Sequence, residues 1–261
     1  MEFLTILLSA LLGIVSPVGF VVDRVAENAI RNQLADVEDL AVRIDNTPSY
    51  RLAQGRVDRV RIAGRGLYPT EDLRIAVLEI ETDAIVLDAG SLRAGTPQLE
   101  APLQAAVRLV LTEADINQTL QSEAVAQQLQ GINLGALGGI NAEPYDLVRP
   151  EINFLGNDRV QFQVTLQGQQ SGEQNLITIE SGLEIIAGRQ LRLVDPSADI
   201  NGSPLPTQLI DFFLLGINQQ LDLGNLEASG ITARVLKLEI VEDELSLASF
   251  VQVAPDANLN F

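Results

Sequence analysis

VQFQVTLQ, residues 160–167, alternates apolar and polar side chains without a break. In an extended chain the apolar side chains fall on one side and the polar ones on the other. The apolar set is Val160, Phe162, Val164 and Leu166. This period of two predicts a β-strand with one face in a core and a polar outer face. A turn signal, Leu155-Gly156-Asn157-Asp158, stands immediately before it and marks where the strand begins.

Further strands come in runs on both sides of this one. In the second half, 175–186 and 190–194 flank Gly188-Arg189 as a hairpin, and 231–241 joins 245–253 through Glu242-Asp243. Strands are predicted in the first half at 40–44, 56–62, 73–87 (one long strand or a hairpin) and 103–111. Strands in runs indicate an α+β fold with a twisted, mainly antiparallel sheet, and argue against a parallel nucleotide-binding sheet.

Three segments are predicted to be helical. Residues 17–34 show an amphipathic pattern, and Thr112-Glu113-Ala114-Asp115 resembles a capping box that opens a helix ending near Gly131. The segment 207–221 is apolar nearly all round, so we expect it to be buried. Each half is therefore predicted to pair a curved sheet with one or two apolar helices.

The chain divides into a hydrophobic N-terminal segment, 1–16, and a single domain, 17–255. No charged side chain stands between Phe3 and Val22, and a run of this length suits a signal or a membrane anchor. A buried core helix is the alternative reading of the same run. Within the domain, the Gly- and Asn-rich region 131–144 reads as a linker between two halves.

Composition excludes several classes of function. The chain carries 35 Asp and Glu against 17 Lys and Arg, a formal net charge of −18, which argues against a nucleic-acid partner because phosphate contacts need clustered cations. Without His or Cys there is no thiolate nucleophile, disulfide, His-based triad or Cys/His zinc site. We therefore predict a protein that is not an enzyme and uses no cofactor or metal. A carboxylate-based hydrolase is a third alternative, although no acid–base pair can be placed.

Several segments in order along the chain resemble the LmeA-like phospholipid-binding family. They are 21–34 (VVDRVAENAIRNQL), 42–46, 50–67 (YRLAQGRVDRVRIAGRGL), 80–87 and 111–120 (LTEADINQTL). The Gln54-Gly55-Arg56 turn, the strand after it and the LTEADIN helix start carry the resemblance, which covers Val18 to Val253. The resemblance implies an exported, envelope-associated protein with a fold like the tubular lipid-binding domains, in which acyl chains lie between a long helix and a twisted antiparallel sheet.

A lipid site needs an apolar wall and polar anchors at its mouth. The wall candidates sit on a strand, on the apolar helix and on a late strand: Phe162, Val164, Leu209, Phe212, Phe213, Ile217, Leu236 and Leu238. Plain core packing is the other interpretation of each. The anchor candidates are the arginines of a basic stretch in this acidic chain: Arg56, Arg59, Arg61 and Arg65. The planar guanidinium suits phosphate, whereas a solvated, charged strand edge is the other reading.

These observations predict non-enzymatic binding of a phospholipid or similar amphiphile at the cell envelope, with transfer of that lipid as the extension of the same function. The expected partners are a lipid and a membrane, and the expected location is membrane-associated and extracytoplasmic, in the periplasm or envelope. The alternative is a structural or interaction protein of the envelope, in which the apolar helix fills the sheet and leaves no ligand cavity.

Overall fold

The computed structural model describes residues 22–47, 51, 54–94, 98–133, 144–205, 210 and 222–257. The structure is 60% strand and 18% helix, and its sheets are open and mostly antiparallel, as the runs of alternating residues predict. The chain forms two compact units. The described residues of the first unit lie within 22–110, 223–237 and 246–257, and those of the second lie within 111–222 and 238–245.

One six-stranded sheet has the order β1-β3-β4-β6-β14-β13. Its strands are β1 (Asp36–Asp45), β3 (Arg59–Thr70), β4 (Leu73–Thr82), β6 (Leu103–Thr112), β13 (Ile231–Val241) and β14 (Glu244–Val253). A separate two-stranded sheet pairs β2 (Arg56–Val57) with β5 (Ile85–Val86). The region 73–87 is thus divided between β4 and β5 rather than forming one strand.

The second six-stranded sheet has the order β12-β11-β10-β9-β8-β7 and belongs to the second unit. Its strands are β7 (Ile132–Asn133), β8 (Pro144–Gly156), β9 (Arg159–Gly168), β10 (Gln174–Ile186), β11 (Gln190–Ile200) and β12 (Ser203–Pro204). The stretch 160–167 lies inside β9, as predicted. The turn before it uses three residues with positive φ, Gly156, Asn157 and Asp158, and such residues are typical of turns.

The helices are shorter than the sequence predicts. They are α1 (Val22–Arg31), α2 (Ala89–Ala94), α3 (Glu113–Leu120) and α4 (Glu123–Gln128), with a 3₁₀-helix at Leu223–Ser229. Thr112 caps α3 as predicted, because its side chain accepts a hydrogen bond from the amide of Asp115 at 3.1 Å. The single helix expected from Thr112 to Gly131 is wrong, since Ser122 caps a second helix through the amide of Val125.

The expected long apolar helices are not found in the described residues, where only α1 and α3 are α-helices of seven or more residues. The segment predicted to be helical at 207–221 lies outside the described residues except for Ile210, and so do the N-terminal segment 1–16 and most of the linker 131–144. No helix in the part of the chain that the structure describes is long and apolar enough to cross a membrane.

Helix α1 packs on β1 through one apolar stripe. Ala26 and Ile30 are buried, while Asp23 and Arg31 reach the strand with their polar ends. The carboxylate of Asp23 accepts from the amide of Ile44 at 3.0 Å, and the guanidinium of Arg31 lies 3.5 Å from the carbonyl oxygen of Leu40. These contacts cover part of the edge that β1 leaves at one side of its sheet.

Candidate functional site

The basic stretch predicted as a phosphate anchor lies on the outer face of β3. Arg59, Arg61 and Arg65 alternate with the buried residues Val60 and Ile62, so they point away from the core. Arg56 lies on β2, and the bend at Asp58 separates it from β3. The bend at Asp58 interrupts the in–out alternation of side chains. Arg56 is exposed rather than facing the core.

Two of the four arginines are engaged in a chain of ion pairs across three strands. Asp45 of β1 contacts Arg43 at 2.9 Å and Arg61 at 3.2 Å. Glu81 of β4 contacts Arg59 at 2.9 Å and Arg61 at 3.6 Å. The side chain of Arg61 therefore lies between two carboxylates and bridges the strands on either side. A phosphate at this position has to compete with both carboxylates.

Arg56 and Arg65 differ from these two residues. Among the residues that the structure describes, neither guanidinium forms an ion pair or a side-chain hydrogen bond. Arg65 lies opposite Asp39 of β1 and Val77 of β4 in the register of the sheet. The register thus places one arginine that forms no ion pair on the same strand face as the two arginines that do.

The bend between β2 and β3 places an acid within the same basic stretch, where it holds the loop before β2. Asp58 accepts from the amide of Thr47 at 2.9 Å and from the guanidinium of Arg51 at 3.1 Å. The hydrogen bond from Thr47 first, and then the hydrogen bond and charge of Arg51, hold the pKa of Asp58 below its ordinary value, although desolvation acts in the opposite direction. Asp58 is therefore an anchor for the loop, and Arg51 is not available to a ligand.

The apolar face of this sheet lies on the side opposite to the arginines. Val42, Ile62, Ile80 and Val107 are neighbours across β1, β3, β4 and β6. The first three are buried, whereas Val107 at the β6 end is half-buried. Because alternate residues of a strand face opposite ways, a group bound by Arg61 lies across the sheet from this apolar row.

The second unit contains the other predicted apolar wall. Phe162 of β9 is flanked by Ile152 of β8 and Ile179 of β10, and Ile179 is flanked by Ala198 of β11. A second row joins Val164 to its neighbours on the next two strands, Ile177 and Ile200. The other face carries a polar row in which the amide of Gln161 bonds the carboxylate of Glu180 at 2.8 Å.

Burial differs within this wall. Val164, Leu166, Ile177 and Tyr145 form its buried centre, and Phe162 and Ile179 pack against that centre but remain half-buried. Ile210 packs beside Ala198 in a neighbouring cluster, so the region 207–221 does contact this face through its one described residue. The apolar face is thus closed around Val164 and partly open around Phe162.

The remaining wall candidates are not assembled in the described structure. Leu209, Phe212, Phe213 and Ile217 lie outside the described residues. On β13 the side chain of Leu236 is 69% exposed, and Leu238 is half-buried. The structure therefore places Phe162 and Val164 in one apolar surface, and the roles of the other candidates stay predictions.

The LTEADIN segment closes the open edge of β8. Asn117 donates to the carbonyl oxygen of Ile152 at 2.8 Å and accepts from the amide of the same residue at 2.7 Å. Glu113 accepts from the amide of Phe154 at 2.6 Å. These side chains satisfy backbone groups that an edge strand otherwise leaves unpaired. The motif is therefore structural, and it holds α3 against the sheet that carries Phe162.

The Gln54-Gly55-Arg56 turn is also structural. Gly55 has φ +77°, and a Cβ added there would lie 2.8 Å from the carbonyl oxygen of Leu87. The carbonyl oxygen of Gly55 accepts from the amide of Leu87 at 2.8 Å. Only glycine combines this backbone conformation with so close an approach to the carbonyl oxygen of Leu87. The turn therefore requires glycine at position 55.

The structure adds wall residues that the sequence did not single out. Ile177 and Ile179 continue the Phe162 face onto β10, and Ile152 continues it onto β8. The segment 175–179 (NLITI) has adjacent apolar residues, so the inward face of β10 could not be chosen from alternation alone. The pairing register with β9 determines that Ile177 and Ile179 lie on the same face as Val164 and Phe162.

Comparison with known proteins gives one match. The family model described as LmeA-like phospholipid-binding matches residues 16–250 of the chain. No curated protein and no solved structure matches the chain.

Proposed function

The chain belongs to the LmeA-like phospholipid-binding family, and we propose that it binds a phospholipid or a similar amphiphile without converting it. The proposal goes beyond family membership in placing acyl chains against the apolar face around Phe162. The family is one of lipid-binding proteins and not of enzymes, which favours binding over the carboxylate-based hydrolase.

The partly open apolar face of the second unit is the observation that carries the proposal. Phe162, Ile152 and Ile179 form a row of large apolar side chains, and all three remain half-buried. The adjacent row around Val164 is buried, so a firm core supports the open row. An acyl chain placed on such a surface loses contact with water along its length, which is favourable by about 0.8 kcal/mol per CH₂ group.

The first unit offers candidate contacts for a phosphate group. On the outer face of β3, Arg65 forms no ion pair among the described residues, although Asp39 lies opposite it, whereas Arg59 and Arg61 share Asp45 and Glu81. A free guanidinium offers a planar pair of donors to a phosphate. We propose Arg56 and Arg65 as the candidate phosphate contacts of the first unit, with Arg59 and Arg61 acting as structural links between its strands.

The proposed function also includes a cellular location. Phospholipid has to be collected from a membrane, and the uncharged run at 3–22 suits an export signal or an anchor. We propose an extracytoplasmic, envelope-associated protein that holds a lipid and passes it on. The acidic charge of the chain argues against attraction to an anionic surface, so recognition of the lipid has to rest on local features.

A lipid-uptake experiment tests the proposal. A fluorescent phospholipid is delivered to the purified protein as a cyclodextrin complex, and uptake is followed by the rise in fluorescence. Phe162→Ala is expected to weaken uptake with a smaller loss of stability than the 3–5 kcal/mol typical of a packed core Phe, because the ring is half-buried.

Leu176→Ala is the matched control, since Leu176 lies on the opposite face of β10 and is 43% exposed. Its uptake is expected to equal that of the unmodified protein. If the unmodified protein takes up no lipid, or if both variants behave alike, the face around Phe162 is plain core and the structural alternative becomes the better interpretation.

A further inference from the structure

Three turns lie at the same end of the β7–β12 sheet region of the second unit. The β8–β9 turn ends at Arg159, which pairs with Gly182 of β10. Strand β10 continues past this pair to Ile186 before it turns into β11. The β10–β11 turn therefore projects at the end of the sheet where the β8–β9 turn lies.

Asp158 joins these turns to a third one. The carbonyl oxygen of Asp158 accepts from the amide of Leu183 at 2.8 Å, and its carboxylate accepts from the amide of Ile240 at 3.0 Å. Ile240 stands just before the β13–β14 turn. Asp158 thus ties the β8–β9 turn to β10, three residues before Ile186, and to the end of β13, all within the second unit.

Each of the three turns exposes one large aliphatic side chain. Leu155 before the β8–β9 turn is 43% exposed, Ile186 before the β10–β11 turn is 37% exposed, and Val241 before the β13–β14 turn is 61% exposed. In the described part of the chain only two other large apolar residues are as exposed: Leu176, near the other end of β10, and Leu236, in the first unit. Each of the three stands within three residues of one of the groups joined at Asp158, and neighbouring exposed apolar side chains mark a contact surface.

We propose that Leu155, Ile186 and Val241 form an apolar tip that inserts into a phospholipid bilayer, so that the protein can collect or release its lipid there. This inference rests on the proposed lipid-binding function and adds the surface that meets the membrane. The side chains are aliphatic and stand beside turns, where they can enter the boundary between head groups and acyl chains.

A bilayer fits this tip better than a protein partner does. A stable protein interface buries about 800 Å² on each side, far more than three aliphatic side chains provide. The turn after Val241 carries Glu242, Asp243 and Glu244 in sequence. Their charge disfavours an anionic surface, so the tip suits a bilayer of net-neutral phospholipid, and the contact should depend little on salt.

The absence of Trp from the chain allows a local test. Val241→Trp in the full chain introduces one fluorophore at the tip, and Leu176→Trp, at a residue as exposed as Leu155, introduces one near the opposite end of β10. Both proteins are mixed with phosphatidylcholine vesicles that carry brominated acyl chains, which quench fluorophores within the apolar layer. The expected result is strong quenching and a blue shift for Val241→Trp and neither for Leu176→Trp. Quenching reports on the surroundings of the substituted residue. Vesicle binding through another part of the chain would therefore not quench Trp at position 241.

The triple variant Leu155→Ser, Ile186→Ser, Val241→Ser supplies the second measurement. Its rate of lipid pick-up from phosphatidylcholine vesicles is expected to fall by about tenfold or more, because three apolar groups no longer enter the bilayer. Uptake of the same lipid delivered by cyclodextrin should be unchanged, which also shows that the variant is folded. Single Val241→Ser, the mildest change, should show a smaller loss in the same direction.

Several results would overturn the proposal that the apolar tip inserts into a bilayer. Equal quenching at positions 241 and 176 would do so, as would a triple variant that collects lipid from vesicles at the unmodified rate. A change of oligomeric state in the triple variant, seen by sedimentation without any quenching at position 241, would assign the surface to protein contact instead. Quenching at position 241 in a protein that takes up no cyclodextrin-delivered lipid would support the tip and contradict the proposed function.

Discussion

Asn117 and Ile152 are paired through both backbone groups of Ile152. The side-chain amide of Asn117 donates to the Ile152 carbonyl oxygen at 2.8 Å and accepts from the Ile152 amide at 2.7 Å. One side chain therefore replaces the neighbouring strand that β8 lacks at this position. Ile152 also stands beside Phe162 in the apolar row, so this pairing supports the surface on which the lipid is proposed to lie.

Loss of the Asn117 side chain should destabilise the protein. Asn117→Ala leaves the amide and the carbonyl oxygen of Ile152 without their partner, and we expect the free energy of unfolding to fall by about 1–3 kcal/mol. Urea unfolding measures the change. Gln128→Ala, on the exposed surface of α4, is the control and should stay within about 0.5 kcal/mol of the unmodified protein. Equal stability of the two variants would show that water replaces Asn117 at no cost.

Gly55 and Gly202 allow conformational strain to be separated from steric conflict. Their φ angles are +77° and +79°, but an added Cβ at Gly55 would meet the Leu87 carbonyl oxygen, whereas at Gly202 it meets nothing within 4 Å. Gly202→Ala should cost about 1–2 kcal/mol from the left-handed backbone alone. Gly55→Ala should cost at least about 1 kcal/mol more, because the hydrogen bond to Leu87 is disturbed. Thermal unfolding of both variants measures the two losses of stability. Equal losses would contradict this account of the turn.

The stability contributed by Asp58 should depend on pH. The folded pKa of Asp58 is lowered, so its contribution is fully present above the pKa of the unfolded chain and is lost as the pH falls through the folded pKa. The stability difference between the unmodified protein and Asp58→Asn should therefore be largest near neutral pH and shrink in acid. Denaturant unfolding at several pH values measures this difference.

Arg51→Gln serves as the companion variant for Asp58. It should remove a smaller part of the pH-dependent difference, because the amide of Thr47 is the largest cause of the lowered pKa. A stability difference for Asp58→Asn that stays constant from neutral to acid pH would show that Asp58 titrates alike in both states.

Arg65 and Arg59 should differ in their effects on lipid binding, although they share one strand and one face. Arg65→Gln should weaken binding of a phospholipid and reduce its salt dependence, because a free guanidinium is lost. Arg59→Gln should change binding little, since its charge is already offset by Glu81 at 2.9 Å; exposed pairs of this kind contribute about 0–1 kcal/mol to stability. Titration of both variants with a fluorescent phospholipid at two salt concentrations measures the contrast. A larger loss for Arg59→Gln would reverse the assignment.

The strands were predictable from sequence because their pattern is local. The alternation at 160–167, the Gly188 hairpin and the Glu242-Asp243 turn all lie where the sequence puts them. The break between α3 and α4 was missed, since the apolar pairs run through it and only the cap at Ser122 reveals it. A local pattern thus predicts where strands and helices lie better than it predicts where one helix ends and the next begins.

The pairing of charges could not be predicted, because it depends on register. Arg59, Arg61 and Arg65 are equivalent in sequence, and only the neighbours on β1 and β4 separate them. Asp45 lies opposite Arg59, and Glu81 lies opposite Arg61, whereas Arg65 lies between Val77 and Asp39 and forms no ion pair with Asp39 in the described structure. Carboxylates that the register brings from β1 and β4 thus decide which guanidinium is paired.

The central claim is that this protein holds a phospholipid, and native mass spectrometry of gently purified protein tests it most directly. The account predicts a population whose mass exceeds that of the chain by one phospholipid, released on mild activation and diminished in Phe162→Ala but not in Leu176→Ala. A folded protein that stays at the mass of the bare chain, even after incubation with phospholipid delivered by cyclodextrin, would contradict it.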